Sequence, residues 1–422
     1  MNPSPPPPRN RASLSGLPRG RRALLTIFLT ILLDLIGFGM ILPLLPFYAQ
    51  RYGASELQIG LLFSCYSLAQ LVCAPLLGRL SDRLGRRPVL LASIGGSVLA
   101  YLLFAAAGSF ALLVLARTLS GIAAANYAIG QAYVADITPP EERSRAMGLV
   151  GAAFGLGFIL GPAFGGLLAS VSGETAVPVA AAALAALNLV FALAWLRESL
   201  PAEVRGRSRQ SSWLDLRDLR KVRGPLGGLF LLFFLVMFCF SIMEATLALY
   251  CQARFGYGTA ETSWLFAFVG VVLVVVQGGL IGRLVRAFGE RTLLVAGIAA
   301  MAAGLLLLPA WPEPAVLVAA LALLALGSGL HNPSLLGLLS QLTDEASQGG
   351  TIGLSRSFGA LARTLGPATG TWIFGLAGAP WPFWTAGLLM LVALVLSWSL
   401  MQRLPAAAPA APAAPSEIIP AR

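Results

Sequence analysis

The stretch "GRLSDRLGRRP" (residues 78–88) decides the fold, through its setting and through its recurrence. Five of its residues are charged (Arg79, Asp82, Arg83, Arg86 and Arg87), yet the whole chain is only 11% charged and 57% hydrophobic. It stands between two apolar runs, each long enough to cross the hydrocarbon core of a bilayer. It also comes back: "GLIGRLVRAFGERTLL" (279–294) echoes "PLLGRLSDRLGRRPVL" (75–90), with Gly78 matching Gly282 and Gly85 matching Gly289 at an offset of 204. Thr138 and Thr343, Gly148-Leu149 and Gly353-Leu354, and Gly161-Pro162 and Gly366-Pro367 share an offset of 205. One register held over that span means two halves of one pattern.

A soluble domain is about a quarter charged. This chain of 422 residues, with a mean hydropathy of +0.80, carries too much apolar surface for any core in water, so lipid is the expected solvent. Twelve runs read as membrane helices: 23–48, 57–78, 89–107, 110–134, 147–169, 176–196, 225–250, 263–282, 292–309, 315–339, 351–377 and 381–401. The first is too long for a cleaved signal peptide and contains Asp34. The expected organisation is a disordered tail (1–20), a six-helix bundle (21–196), a basic linker (197–224), a second six-helix bundle (225–402) and an Ala/Pro-rich disordered tail (403–422). Parallel six-helix repeats are the pattern of a rocking transporter whose site lies between the halves.

The net charge of +11 would suggest nucleic acid on a soluble protein. Its distribution says otherwise. With the amino terminus in the cytoplasm, the inner segments hold 24 Lys and Arg and the outer loops only Arg51 and Arg254, the positive-inside asymmetry of a membrane protein. Both termini are expected in the cytoplasm. The single Lys against 28 Arg fits a GC-rich bacterial source and hence an inner membrane. Cys65, Cys73, Cys239 and Cys251 have no metal-ligand spacing and read as small hydrophobes. No Ser/His/Asp, metal-ligand or phosphate-loop constellation is present, so neither an enzyme nor a bound cofactor is expected; a proton gradient is the expected energy source. A monomer is expected.

Several family signatures now stand in order. The chain resembles the major facilitator superfamily over nearly its full membrane length: "GRLSDRLGRRPVLL" is similar to its loop 2–3 signature, "LARTLSG" with Arg117 to its helix 4 signature, and "GLGFILGPAFGG" (155–166) to the helix 5 signature typical of antiporters. "LDLIGFGMILPLLP" (33–46) and "ADITPPEERSRAMG" (135–148) resemble the drug:proton antiporter branch that includes tetracycline efflux proteins. Tetracycline exporters of this kind usually carry a His in helix 8 and an Asp in helix 9. Here 263–282 has no His and 292–309 no acid. The resemblance implies an all-α membrane protein, twelve helices in two pseudo-symmetric bundles, that exports small amphipathic, drug-like compounds against protons by alternating access. A proton-coupled or facilitative carrier of a sugar or organic anion would use the same fold.

Asp34 sits near mid-membrane, where a carboxylate costs about 2.5–3.5 kcal/mol on insertion scales and by default marks function. It reads as a proton site, or as a structural acid bonded to backbone freed near Gly37, Gly39 and Pro43. The resemblance places Arg117 beside it in proton coupling; the alternative is a brace between helices 1 and 4. Glu244 is the one acid deep in the second half, a candidate for a cationic substrate, a second proton, or a pair with Arg254 or Arg363. His331 aligns with Asn126 at offset 205 and is a candidate proton relay or a packing residue. Arg363 is deep enough to attract an anion or neutralise an acid, while Arg356 on the same helical face snorkels. The Phe- and Met-bearing "FLLFFLVMFCF" (230–240) lines an apolar pocket or faces lipid. Gly78, Asp82, Arg83, Gly85, Arg86 and Arg87 read as a conformational latch: Asp82 meets the positive end of helix 11, with Arg83 or Arg356, when the inner side closes. Gly157, Gly161, Pro162 and Gly165 read as a helix 5 hinge or as a tight packing stripe.

Overall fold

A computed structural model describes residues 17–139, 142–201, 205, 224–343 and 348–403. Most of the expected tails and linker lies outside these residues. In chain order come α1 (Leu17–Ile41), α2 (Leu45–Arg51), α3 (Glu56–Leu84), α4 (Arg86–Ala105), α5 (Phe110–Ala123), α6 (Asn126–Ile137), α7 (Arg143–Ser172) and α8 (Ala176–Trp195). Then follow α9 (Pro225–Phe255), α10 (Thr259–Val274), a π-helical segment (Val275–Leu280), α11 (Ile281–Ala310), α12 (Pro314–Gln341), α13 (Gln348–Ala377) and α14 (Trp381–Arg403). No strand occurs among the described residues.

Ten stretches of the described residues are long and apolar enough to cross a membrane. One of them, Thr259–Ala310, has 52 residues, about 78 Å of helix at 1.5 Å per residue, more than twice the thickness of the hydrocarbon core. It folds at Gly289, whose φ of +75° lies in the left-handed region that glycine adopts without strain, and so makes two crossings. With the charge-bearing α13, the described residues make twelve crossings. Large apolar side chains point outward along them: Val171, Val395, Leu376 and Trp398 are 61–76% exposed, a surface that only lipid covers without penalty.

The helices differ from the uninterrupted sequence runs where local chemistry breaks the hydrogen-bond ladder. The first run parts at Leu42–Leu44, between Ile41 and Leu45, because Pro43 and Pro46 remove backbone donors. The fourth parts at Ala124–Ala125, between α5 and α6, where Gln70 Nε2 reaches the Ala124 carbonyl at 3.4 Å, a side chain inserted into the ladder.

Two bundles result. In the first, α1 packs on α7 and α8, and α4 on α5 and α8; in the second, α9 packs on α13 and α14, and α11 on α12 and α14. The internal repeat is visible in atoms. A Cβ on Gly161 would meet the Ile36 carbonyl and Gly39 Cα at 2.7 Å, while one on Gly366 would meet Ser241 Cβ at 2.8 Å and the Phe238 carbonyl at 2.9 Å. α7 thus approaches α1 as α13 approaches α9. Gly85 (φ +109°) and Gly289 (φ +75°) turn the chain at matching places.

The bundles meet chiefly through α3 against α13 and α7 against α10. At the face opposite residues 78–88 this interface is closed. Gln50 Nε2 donates to Gln252 Oε1 at 2.9 Å, and Glu174 accepts from Arg51 of its own bundle and from the Thr259 hydroxyl of the other. A Cβ on Gly60 would lie 2.6 Å from the Pro367 carbonyl. Toward the basic face, which carries residues 78–88, a Cβ on Gly78, Gly148, Gly151, Gly282 or Gly353 would meet no described atom within 4 Å. There Arg356 donates to Gln131 across the interface. Among the described residues the bundles are thus tightly joined at one face and joined by fewer close contacts at the other.

Candidate functional site

Asp34 lies in the interior of α1, one turn before Phe38, and is half-buried. Ser97 of α4 donates its hydroxyl to Asp34 Oδ1 at 3.2 Å. The Asn126 side chain, brought in by the break between α5 and α6, stands beside the same carboxylate. The acid therefore sits inside the first bundle, held by two neutral polar groups.

Arg117 is not among its partners. Among the described residues Arg117 and Asp34 form no ion pair; the guanidinium lies 4.4 Å from the Tyr66 ring centroid and 5.9 Å from that of Phe38. It faces the space between the bundles, where Glu244 of α9 and Arg363 of α13 converge with Phe38, Tyr66 and Ser67 on a cavity of about 10 Å³. That is room for about one water. Glu244 lies within electrostatic reach of Arg363 and Arg117. Tyr101, whose ring a Cβ on Gly37 would touch at 3.2 Å, stands within electrostatic reach of both Asp34 and Arg117. Aromatic rings continue from the cavity: Tyr66 on Phe38 at 5.1 Å, Phe38 to Phe158 at 6.4 Å, Phe158 on Phe154 at 5.2 Å, and Phe154 to Tyr127 at 6.0 Å.

Residues 78–88 are organised within their own bundle. Asp82 pairs with Arg86 at 2.6 Å and, among the described residues, forms no ion pair with α13; its expected contact with that helix belongs to a state in which this face is closed. Arg86 is buried and also bonds Asp136 at 3.0 Å and the Ser81 hydroxyl at 2.6 Å. Glu198 accepts from the backbone N–H groups of Arg86 and Arg87 at 2.8 and 3.2 Å, a carboxylate on the positive start of α4. Arg87 donates to the Leu196 carbonyl at 2.7 Å. Arg83 is exposed and Gly78 faces open space, so of the two turn glycines only Gly85 is close-packed, against Glu198.

His331 is fully buried and neither ring nitrogen has a hydrogen-bond partner. Its ring lies parallel to Phe233 at 6.4 Å and its backbone packs on Gly297, away from the cavity. The 230–240 run is mostly interior, with Phe230 stacked on Phe358 at 5.7 Å, while Leu231 faces outward and is 48% exposed. Pro162 lies in an unbroken α7, and Gly157, Gly161 and Gly165 are the surfaces on which Leu35, Gly39 and Met40 of α1 rest.

Sequence reasoning did not single out Phe38, Tyr66 and Tyr101, which look like ordinary aromatic residues of apolar helices. It also passed over Asp136 and Glu198. A signal existed for these two: they are acids at the ends of helices facing the arginine-rich turn.

The sequence model of the Major Facilitator Superfamily matches residues 27–284 and again 278–421. The chain is 33% identical over 368 residues to the class C tetracycline resistance protein of Escherichia coli, covering 86% of this chain and 92% of that protein. It is 33% identical over 413 residues to major facilitator superfamily domain-containing protein 10 of Bos taurus, covering 85% and 88%. Among solved structures, the human organic anion transporter MFSD10 (TETRAN) superposes with a TM-score of 0.70 at 31% identity, covering 90% of this chain and 99% of that one. The nucleoside transporter NupG gives 0.74 at 16% identity, with 90% and 99% covered, a likeness of fold alone.

Proposed function

We propose, for a chain that belongs to the Major Facilitator Superfamily and is a multi-pass membrane transporter of small molecules, export of amphipathic, drug-like compounds in exchange for protons. The observation that carries the reading is Asp34: a half-buried carboxylate within α1, bonded by Ser97 and flanked by Asn126, with no ion pair among the described residues to hold it permanently charged. Such an acid can take and release a proton. Arg117 cannot, because a guanidinium stays protonated; in this reading it answers to Asp34 through Tyr101 and Tyr66. Each charge moved down 100 mV supplies about 2.3 kcal/mol.

In this reading the positive-inside asymmetry supports a cytoplasmic basic face with both termini, and kinship with the tetracycline resistance proteins of bacteria supports an inner membrane. On this reading the structure is a state closed on the outside, whose inner face holds fewer cross-bundle contacts. Residues 78–87 act as a latch whose cross-bundle contact belongs to the opposite state, and the Gly157–Gly165 stripe is the surface on which α7 moves. The monomer suffices. Kinship with the tetracycline resistance proteins supports drug export. The similarly close organic anion transporter favours a second reading, an organic anion carrier, on the strength of Arg117 and Arg363.

The test uses proteoliposomes with a trapped pH dye and a panel of cationic, zwitterionic and anionic drugs, comparing wild type with Asp34→Asn. Compound-dependent proton movement that the variant loses supports proton exchange. Equal movement in both removes Asp34 from the mechanism, and transport without proton movement refutes antiport.

A further inference from the structure

A second hollow lies on the lipid-facing side of the first bundle, away from the site between the bundles. It is a groove of about 270 Å³ walled by α3 and α4, with α5 as its floor. Leu80 and Leu84 of α3 stand on one wall, 40% and 55% exposed. Ala92 and Gly96 keep the other wall low, because side chains this short do not fill the space between the helices. Ser93 is the one lining residue with a polar side chain. An apolar hollow of about 150 Å³ already takes benzene, so this one has room for a hydrocarbon chain. From Pro88 to Gly96 it follows α4 for about 12 Å, most of one leaflet's half of a core about 30 Å thick. The end at Leu84 and Pro88 opens at the arginine-rich turn, where the arginines are of two kinds. Arg86 is held by Asp82, Asp136 and Ser81, and Arg87 by the Leu193 and Leu196 carbonyls. Arg79 and Arg83 have no hydrogen bond or ion pair among the described residues. Each stands next in sequence to a groove leucine, Leu80 or Leu84, and the two arginines are one helical turn apart. Like charges at that spacing repel, and Asp82 between them is engaged by Arg86.

We propose that this groove is a phospholipid site: one acyl chain of an anionic lipid from the leaflet at the basic face lies between α3 and α4, and its phosphate bridges Arg79 and Arg83. Phosphate suits a pair of guanidiniums in charge and in geometry. The unpaired arginines set the charge of the occupant, and the length of the groove sets its chain. A soluble anion would leave the groove empty, and a zwitterionic lipid would bring its own cation to the same arginines. The bound chain braces the two helices that the turn at Gly85 joins. Each arginine near the surface favours an anionic lipid about fivefold, so two give about 25-fold. The site does not depend on what the protein carries, and its failure leaves the transport reading untouched.

The experiment is native mass spectrometry of the full-length chain, delipidated in detergent and titrated with dioleoyl phosphatidylglycerol or dioleoyl phosphatidylcholine. The first phosphatidylglycerol should bind at least tenfold more tightly than the first phosphatidylcholine. Replacing Arg79 and Arg83 together by glutamine should remove that preference, and Arg79→Lys with Arg83→Lys should keep most of it, which a general loss of fold would not do. Arg403→Gln, an exposed arginine at the end of α14, is the control for unspecific charge and should change neither affinity. Ala92→Phe puts a ring into the groove from an exposed position and should weaken both lipids at least tenfold. Equal affinity for the two lipids would mean that ordinary bilayer chains fill the groove, and overturns the proposal. So does a loss in Arg403→Gln as large as in the double glutamine variant. Phosphatidylglycerol binding that survives Ala92→Phe puts the phosphate on the turn without the groove and also overturns it. A lipid-free dimer that Ala92→Phe abolishes would give the groove to a second copy of the chain instead.

Discussion

Gly60 offers the sharpest handle on how the two bundles move. It lies on α3 near the closed face, where α3 meets α13. A Cβ there would stand 2.6 Å from the Pro367 carbonyl and 2.9 Å from Ala368 Cα, and closer still to the Thr371 hydroxyl. Two of these atoms are backbone, so rotation of a side chain cannot relieve the clash. Gly60→Val should therefore cost the closed arrangement about 1–3 kcal/mol, the range for overpacking a tight contact. If that face opens during transport, the open state escapes the penalty, and the equilibrium shifts toward it by about 5–150-fold. The reporter is Ser67→Cys, which lines the central cavity, in a background where Cys65, Cys73, Cys239 and Cys251 are replaced by serine. In oriented vesicles, a membrane-impermeant maleimide applied to the face opposite residues 78–88 should label this cysteine 5–150-fold faster in the Gly60→Val chain while opening remains rare. An unchanged rate in a monodisperse, folded variant would refute the idea that this contact must break. So would an equal acceleration from the basic face.

Three further outcomes follow from the same geometry. Gly78→Val meets open space here and should leave thermal stability within about 0.5 kcal/mol of wild type, yet it should slow transport if α3 packs closely when the basic face shuts; normal transport rates would show that it does not. Arg86→Gln strips Asp82, Asp136 and the Ser81 hydroxyl of a shared buried partner, and should lower stability by about 1.5–3 kcal/mol, as for hydrogen bonds to charged groups, read as unfolding temperature in detergent. Glu174→Gln keeps an acceptor for Thr259 and loses the ion pair with Arg51, which is 45% exposed. A half-exposed pair contributes about 1 kcal/mol or less, so the Ser67→Cys labelling rate should change less than about fivefold.

How much of this was legible in the sequence depends on the range of the interaction involved. Crossings are set by composition over about twenty residues, so the apolar runs mark them well, and the 204–205 offsets carried the two-bundle fold. Breaks inside crossings are set by single contacts. Pro43 and Pro46 announce the end of α1, but nothing in "GIAAANYAIG" announces that Gln70, from another helix, will reach the Ala124 carbonyl. The folding of α10 and α11 about Gly289 was expected as an ordinary loop, since Arg283, Arg286 and Arg291 interrupt the apolar pattern there; the backbone instead stays helical up to the one glycine. Within the site, charge in an apolar helix is conspicuous, and Asp34, Arg117, Glu244 and Arg363 all stood out. Their pairing did not. Which of two acids Arg117 accompanies depends on the rotation of α5 about its axis, and a sequence carries that only through packing with every neighbour.

That rotation divides the chemistry between two places. Asp34 lies behind Phe38, with its polar partners on α4 and α6, inside the first bundle. Arg117, Glu244 and Arg363 lie between the bundles, where opening and closing alter their exposure directly. The second bundle has no counterpart to the first of these places: where Asn126 accompanies an acid, His331 packs against Phe233 with no polar partner. If Asp34 is the proton site, it cannot sense the interface by contact alone, and the groups that span the gap are Tyr101, within reach of both Asp34 and Arg117, and Tyr66, under the guanidinium. On the proton-exchange reading, Tyr101→Phe should therefore leave ligand binding nearly intact and uncouple it from proton movement, so that substrate flux continues with fewer protons per molecule in the pH-dye assay. An unchanged proton-to-substrate ratio would mean that the two sites communicate through the rigid motion of α1, and that the tyrosine is only packing.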